Sequence, residues 1–124
     1  MTTTAPPAPI RDLEDLRDRL RTFAAARDWD QFHSPKNLAM ALIVEAAELV
    51  EHFQWLTETE SAALPPGKRA AVADELADAL IYVVRIADRL DVDLLAAVTA
   101  KMARNEAKYP ADRVKGSARK YTEY

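Results

Sequence analysis

Two pairs of acids stand out by type and spacing: Glu45 with Glu48 and, after twenty-six intervening residues, Glu75 with Asp78. Each pair is spaced i, i+3, so on a helix its two carboxylates share a face. Four converging carboxylates repel one another unless a cation sits among them. Oxygen donors with no His or Cys in the pattern favour hard divalent ions, Mg²⁺ or Mn²⁺, over zinc. Cysteine is absent, which excludes thiolate zinc sites, disulfides and a Cys nucleophile. The competing reading is that these acids are solvated or paired with Arg17, Arg21 or Arg85. A di-iron carboxylate bundle needs two Glu-x-x-His units; the two histidines, His33 and His52, complete none.

The elements that must carry these acids are helical. Twenty-four alanines and two glycines in 124 residues favour helices over a turn-rich β fold. Leu13, Leu16, Leu20, Phe23 and Arg27 recur at helical spacing and predict a first helix from Asp12 to Asp28. A loop, Trp29–His33, leads to Ser34 as N-cap and Pro35 at the first position of a second helix. That helix is expected to reach Leu56, with Leu38, Leu42, Ala46, Leu49, Phe53 and Leu56 as its apolar stripe. Leu64-Pro65-Pro66-Gly67 breaks the chain. A third helix, Lys68 to Leu90, uses Val72, Leu76, Leu80, Val83, Ala87 and Leu90. A turn at Asp91–Asp93 opens a fourth, ended near Tyr109 by Pro110. The reading is an all-α four-helix bundle, with a disordered leader at 1–10, a helical domain at 11–110 and an irregular basic arm at 111–124.

On this framework the acids are out of place. Glu45 falls about 20° from Leu38, in the middle of an apolar stripe, and Glu48 lies about 60° further round. Glu51 points away, as a surface residue should. Glu75, Asp78 and Tyr82 fall within about 60° of one another on the third helix. A carboxylate inside an apolar stripe costs several kcal/mol unless something compensates it. Antiparallel packing of the second and third helices brings the two pairs together.

Net charge is −3, too near balance for a binder of polymeric nucleic acid. The distribution is uneven: from Lys101 onward seven basic residues face three acidic ones, giving an acidic body and a basic tail suited to a cation and an anionic ligand. No apolar run approaches the roughly 20 residues of a membrane span, and no signal-peptide pattern follows Met1. The expected location is the cytoplasm.

Other residues fit the same scheme. Trp29 and Trp55 are ordinarily core aromatics, but Trp29 sits in a polar loop and Trp55 on the Glu48 edge. His33 holds the backbone or meets a ligand. Lys101, Asn105 and Lys108 share one helix face, which is a solvated stripe or a phosphate-binding one.

These residues resemble a family. Glu45-x-x-Glu48 followed by Glu75-x-x-Asp78 is similar to the signature of the MazG-like all-α nucleoside triphosphate pyrophosphohydrolases, and in particular of the dCTP pyrophosphatase branch. The likeness extends through Arg27-Asp28-Trp29, Gln31-Phe32-His33, Pro35, Asn37-Leu38, Phe53-Gln54-Trp55, Leu80-Ile81-Tyr82, Lys101-Met102, Tyr109-Pro110 and Ser117-x-Arg119-Lys120-Tyr121-Thr122-Glu123. It covers residues 11–124.

The resemblance implies a Mg²⁺-dependent enzyme (Mn²⁺ a possible substitute) that cleaves dCTP or a modified dCTP to the monophosphate and pyrophosphate, clearing it from the nucleotide pool. Glu45, Glu48, Glu75 and Asp78 then hold metal, and Trp29, Trp55 and Tyr82 enclose the pyrimidine. Lys101 and Asn105 become phosphate or sugar contacts. Arg119 and Lys120, with Lys115, form an arm over the triphosphate. The branch places a histidine in its first helix near the base; this chain has Leu20, one polar contact fewer. A unit this small leaves its site half-open, and members of the family close such sites by pairing subunits, so the resemblance implies a homodimer or homotetramer. The rival functions are the same reaction on dUTP or another non-canonical triphosphate, and a non-enzymatic helical metal-binding interaction module.

Overall fold

A computed structural model of the chain describes residues 5–123. Among these there is no strand. Four long helices dominate: α1 (Leu13–Ala26), α2 (Pro35–Glu51), α4 (Pro66–Arg89) and α5 (Leu94–Lys108). Two single-turn helices, α3 (Glu58–Ser61) and α6 (Ala111–Val114), and two 3-10 turns complete the element order. The chain forms two compact units, one up to Asp91 and one from Val92 onward.

Helix starts follow capping chemistry. Asp12, Ser34, Thr57 and Asp93 each accept a backbone N–H from the first turn of α1, α2, α3 and α5, satisfying donors that have no partner inside the helix. The end of α2 differs from the expected one. It stops at Glu51, five residues short of Leu56, because His52, Phe53 and Gln54 turn back onto Leu49 and Val50. Thr57 and Glu60 then close a reciprocal capping box that starts α3. Trp55 therefore sits in a turn, not on a helix edge.

In the first unit α4 packs most extensively on α2 and secondarily on α1. Contacts run in opposite directions along α2 and α4: His33, just before α2, meets Arg85 near the end of α4, while His52, just after α2, meets Glu75 in its first half. The two helices are antiparallel, as expected. Leu16, Ala24, Leu38, Val72, Val84 and Ala87 form the buried apolar core, with Leu38 only 2% exposed.

The expected stripe of α4 is half correct. Val72 and Ala87 are buried and Val83 is half-buried, but Leu76, Leu80 and Leu90 are exposed. A 14-residue α1 is about 15 Å shorter than the 24-residue α4. It is tied to the C-terminal end of α4 through Arg21 and Asp88, and Leu76 and Leu80 stay exposed. Phe23, in the expected stripe of α1, is also exposed, as are Met40, Ile43, Val44 and Val50 on α2.

The second unit holds α5, α6 and a terminal 3-10 turn at Tyr121–Glu123. Leu95, Val98 and Met102 of α5 are exposed. The expected irregular arm contains short helical turns, with Gly116 at φ 79° between them. At the other end, residues 5–10 have no regular structure, yet the carbonyls of Ala8 and Pro9 accept from Arg19. The rest of the expected leader, residues 1–4, lies outside the described residues. No helix among the described residues is long and apolar enough to cross a membrane.

Candidate metal centre and aromatic loop

The central turns of α2 and α4 bring three of the four acids together. One carboxylate oxygen from each of Glu45, Glu48 and Glu75 lies within 4.8 Å of the others. All three residues are half-buried, whereas Asp78 is exposed at the border and Glu51 faces solvent. Oε2 of Glu45 and Oε2 of Glu75 are buried without a hydrogen-bond partner. An orphaned carboxylate oxygen out of water is costly, and two in one cluster fit a cation that would satisfy both.

Proton affinities record the crowding. Burial, followed by Glu75, Glu48 and Asp78, pushes the Glu45 carboxyl from 4.5 up to about 7. Glu48 is also raised, chiefly through Glu75. Tyr82 is raised first by burial and then by the charges of Glu45, Asp78 and Glu48.

The arginines that could have neutralised these acids are engaged elsewhere. Arg17 pairs with Glu14 and Asp18, Arg21 with Asp18 and Asp88, and Arg85 with Asp30 and Asp88. The reading of the acids as partners of Arg17, Arg21 or Arg85 therefore fails. Sequence reasoning missed one neighbour: Nε2 of His52 lies 3.6 Å from Oε1 of Glu75. Its i+4 spacing from Glu48 was the available signal, since such residues share a helix face.

The aromatic candidates are dispersed. After α1, Asp28 adopts a left-handed φ of 53° and turns the chain, while the Trp29 N–H returns to the Ala24 carbonyl at 2.9 Å. Trp29, 43% exposed, meets Phe23 edge-on at 5.6 Å and His33 at 6.1 Å between ring centroids. The Arg27 guanidinium covers Phe23 at 3.6 Å. Trp55 is 87% exposed. Trp29 precedes α2 and Trp55 follows it, so a helix about 25 Å long lies between them.

Lys101 and Asn105 are exposed on α5 of the second unit. Arg119 donates to Ser117 Oγ and to the Glu123 carbonyl, and the Lys120 backbone N–H donates to Glu123 Oε2 at 2.7 Å.

The chain is similar to known proteins. The model of the MazG-like family matches residues 40–124. The dCTP pyrophosphatase 1 of Mus musculus is 50% identical over 118 residues, covering 94% of this chain and 69% of that protein. The Homo sapiens dCTP pyrophosphatase 1 is 49% identical with the same coverage. The crystal structure of a pyrophosphatase from Archaeoglobus fulgidus DSM 4304 superposes with a TM-score of 0.76 at 37% identity, covering 86% of this chain and 99% of that one. With the family model spanning both acid pairs and relatives at half identity along nearly the whole chain, the protein belongs to the MazG-like family.

Proposed function

We propose that this protein hydrolyses a nucleoside triphosphate between its α- and β-phosphates, with dCTP or a modified dCTP as substrate, giving dCMP and pyrophosphate in cytoplasmic nucleotide-pool sanitation. The observation that carries the reading is the pair of orphaned oxygens on Glu45 and Glu75, in a chain half identical to proteins named dCTP pyrophosphatase 1.

Glu45, Glu48 and Glu75, with Asp78 at their border, are the residues to hold a divalent cation, Mg²⁺ or in its place Mn²⁺. Such an ion, when bound, supplies positive charge for the triphosphate and the departing pyrophosphate. Glu48, whose proton affinity is raised by Glu75, accepts the proton of the attacking water at a carboxylate oxygen. The Tyr82 ring faces the sugar and base end of the substrate. Trp29 and Trp55 supply flat surfaces for the pyrimidine, and His33 stands next to Trp29. Lys101, Asn105, Arg119 and Lys120 are the cationic and amide contacts for phosphate and sugar.

The separation of the two tryptophans by the length of α2 supports an assembled site. With Trp29 from one subunit and Trp55 from another, one base is stacked by both. The exposed Met40, Ile43, Val44, Leu76 and Leu80 give α2 and α4 an apolar outer face for that purpose. A homodimer or homotetramer accounts for both.

The test is pyrophosphate release with Mg²⁺ across deoxy- and ribonucleoside triphosphates. The expected result is fastest turnover on dCTP or a modified dCTP. Preference for dUTP or another non-canonical triphosphate would move the substrate while keeping the reaction. Turnover of none, with metal bound, would leave a helical interaction module.

A further inference from the structure

Arg85 is the one buried charged residue of the described chain, 4% exposed, on the C-terminal half of α4. A guanidinium out of water is tolerated only when its charge and donors are matched. Asp30 pairs with it from the turn after Trp29, and Asp88, one turn along α4, stands 3.5 Å away. Asp88 is itself clamped by Arg21 from α1, with Nε to Oδ2 at 2.8 Å, which holds its carboxyl below the usual range. The charge of Arg85 is thus met by carboxylates.

Its Nε does something else. Nε of Arg85 donates to Nδ1 of His33 at 3.2 Å. A ring nitrogen that accepts is unprotonated, so His33 carries its proton on Nε2 and is neutral. Burial first, and the Arg85 charge second, lower the proton affinity of His33, in agreement with that tautomer. The imidazole so fixed meets the Trp29 indole at 60°. Arg85 therefore grips the loop twice, through Asp30 immediately after Trp29 and through the His33 ring against it. Residues 52 and 55 positions away in sequence are tied to one guanidinium.

We infer that Arg85 is a positioning residue for substrate recognition: by holding Asp30 and the His33 ring, it sets the orientation of the Trp29 indole. This rests on Trp29 serving as a base platform in the proposed function. Without Arg85 the indole keeps its edge contact with Phe23 but loses the fixed ring on its other side. A platform that samples several orientations binds its base more weakly, and the distant acids are untouched.

The experiment follows the Trp29 indole N–H signal by NMR in the metal-free protein, assigned with Trp29→Phe and Trp55→Phe variants, together with KM and kcat for dCTP with Mg²⁺. Arg85→Met should shift or broaden the Trp29 signal and leave that of Trp55 in place. KM should rise about threefold to tenfold, a fraction of a full stacking contact, with kcat within about twofold of wild type. If Arg85→Met does not fold, Arg85→Met/Asp30→Asn removes both charges of the pair, leaves Asp88 with Arg21, and is read the same way. The triple combination with Trp29→Ala should raise KM no further than Trp29→Ala alone. An unmoved Trp29 signal, or a KM effect that multiplies with that of Trp29→Ala, overturns the inference while the platform stands. A Trp29→Ala variant with unchanged KM overturns the platform reading and this inference with it.

Discussion

The carboxylates of Glu45 and Glu75 meet within 4.8 Å across the seam between α2 and α4, and each keeps one buried oxygen with no hydrogen-bond partner. Two anions so placed are at ease only with a proton or a cation between them, and the two compete. Burial first, then Glu75, Glu48 and Asp78, raise the proton affinity of Glu45, so the proton has its place on that carboxyl when no cation is bound.

The first prediction is therefore a linkage. Between its ordinary 4.5 and about 7, Glu45 binds more proton in the folded than in the unfolded chain. Its contribution to metal-free stability thus falls as pH rises through that window. Thermal unfolding in EDTA should show a decline with pH that Glu45→Gln flattens. Saturating Mg²⁺ should reverse the trend, since metal binding strengthens as the carboxyl loses its proton. Equal pH slopes with and without Mg²⁺ would remove the cation from this cluster.

Charge removal should separate chemistry from folding. Glu45→Gln and Asp78→Asn are each expected to lower turnover by about 100-fold or more. Neither should reduce the metal-free melting temperature above about pH 7, where each takes away a like charge. Turnover near wild type in Asp78→Asn would confine the metal ligands to Glu45, Glu48 and Glu75.

Trp55 offers a cleaner case, since its 87% exposure leaves little packing to lose. Trp55→Ala should change stability by no more than about 0.5 kcal/mol. Triphosphate binding should weaken by about 1–3 kcal/mol through lost stacking. Binding equal to wild type by calorimetry would take Trp55 out of the pocket.

The outer apolar face of α4 makes a prediction about assembly. Leu80→Lys should be tolerated within one chain, where Leu80 is 46% exposed, yet sedimentation should show a smaller species than wild type. Activity should fall with the oligomer. A wild-type chain that sediments as a monomer at working concentration would exclude the shared site.

The C-terminal residues can be tested by truncation. Deleting 117–124 removes Arg119 and Lys120, and should raise KM for the triphosphate with the larger effect at low salt. An unchanged KM would assign this segment a purely structural role.

How far these features were legible in the sequence depends on their range. Glu45 was visible because a charge inside an apolar stripe is a local anomaly, and its burial among Glu48 and Glu75 agrees with that reading. Apolar spacing alone carries the helix on through Trp55, whereas the Thr57-x-x-Glu60 capping box is the local signal that a new helix starts after it. Leu76 and Leu80 fall on the apolar stripe of α4 yet are exposed, because periodicity identifies an apolar face and not what covers it. Arg85 gave no local sign of its place. Its partners His33 and Asp30 are more than fifty residues away, and only the antiparallel return of α4 along α2 brings them into contact.

The uneven covering of α4 has a dynamic consequence. From Ile81 to Asp88 no residue is fully exposed, while between Pro66 and Leu80 only Lys68, Ala71, Val72, Glu75 and Ala79 are sheltered, within an arc of about 100°. One continuous helix thus carries a gradient of local opening, steep protection at its end and shallow protection at its beginning. In a dissociated chain, deuterium should enter the amides around Glu75 long before those around Val84. The end that grips the tryptophan loop is finished within a single chain; the end that gathers the acids becomes slow-exchanging only when something else closes over it.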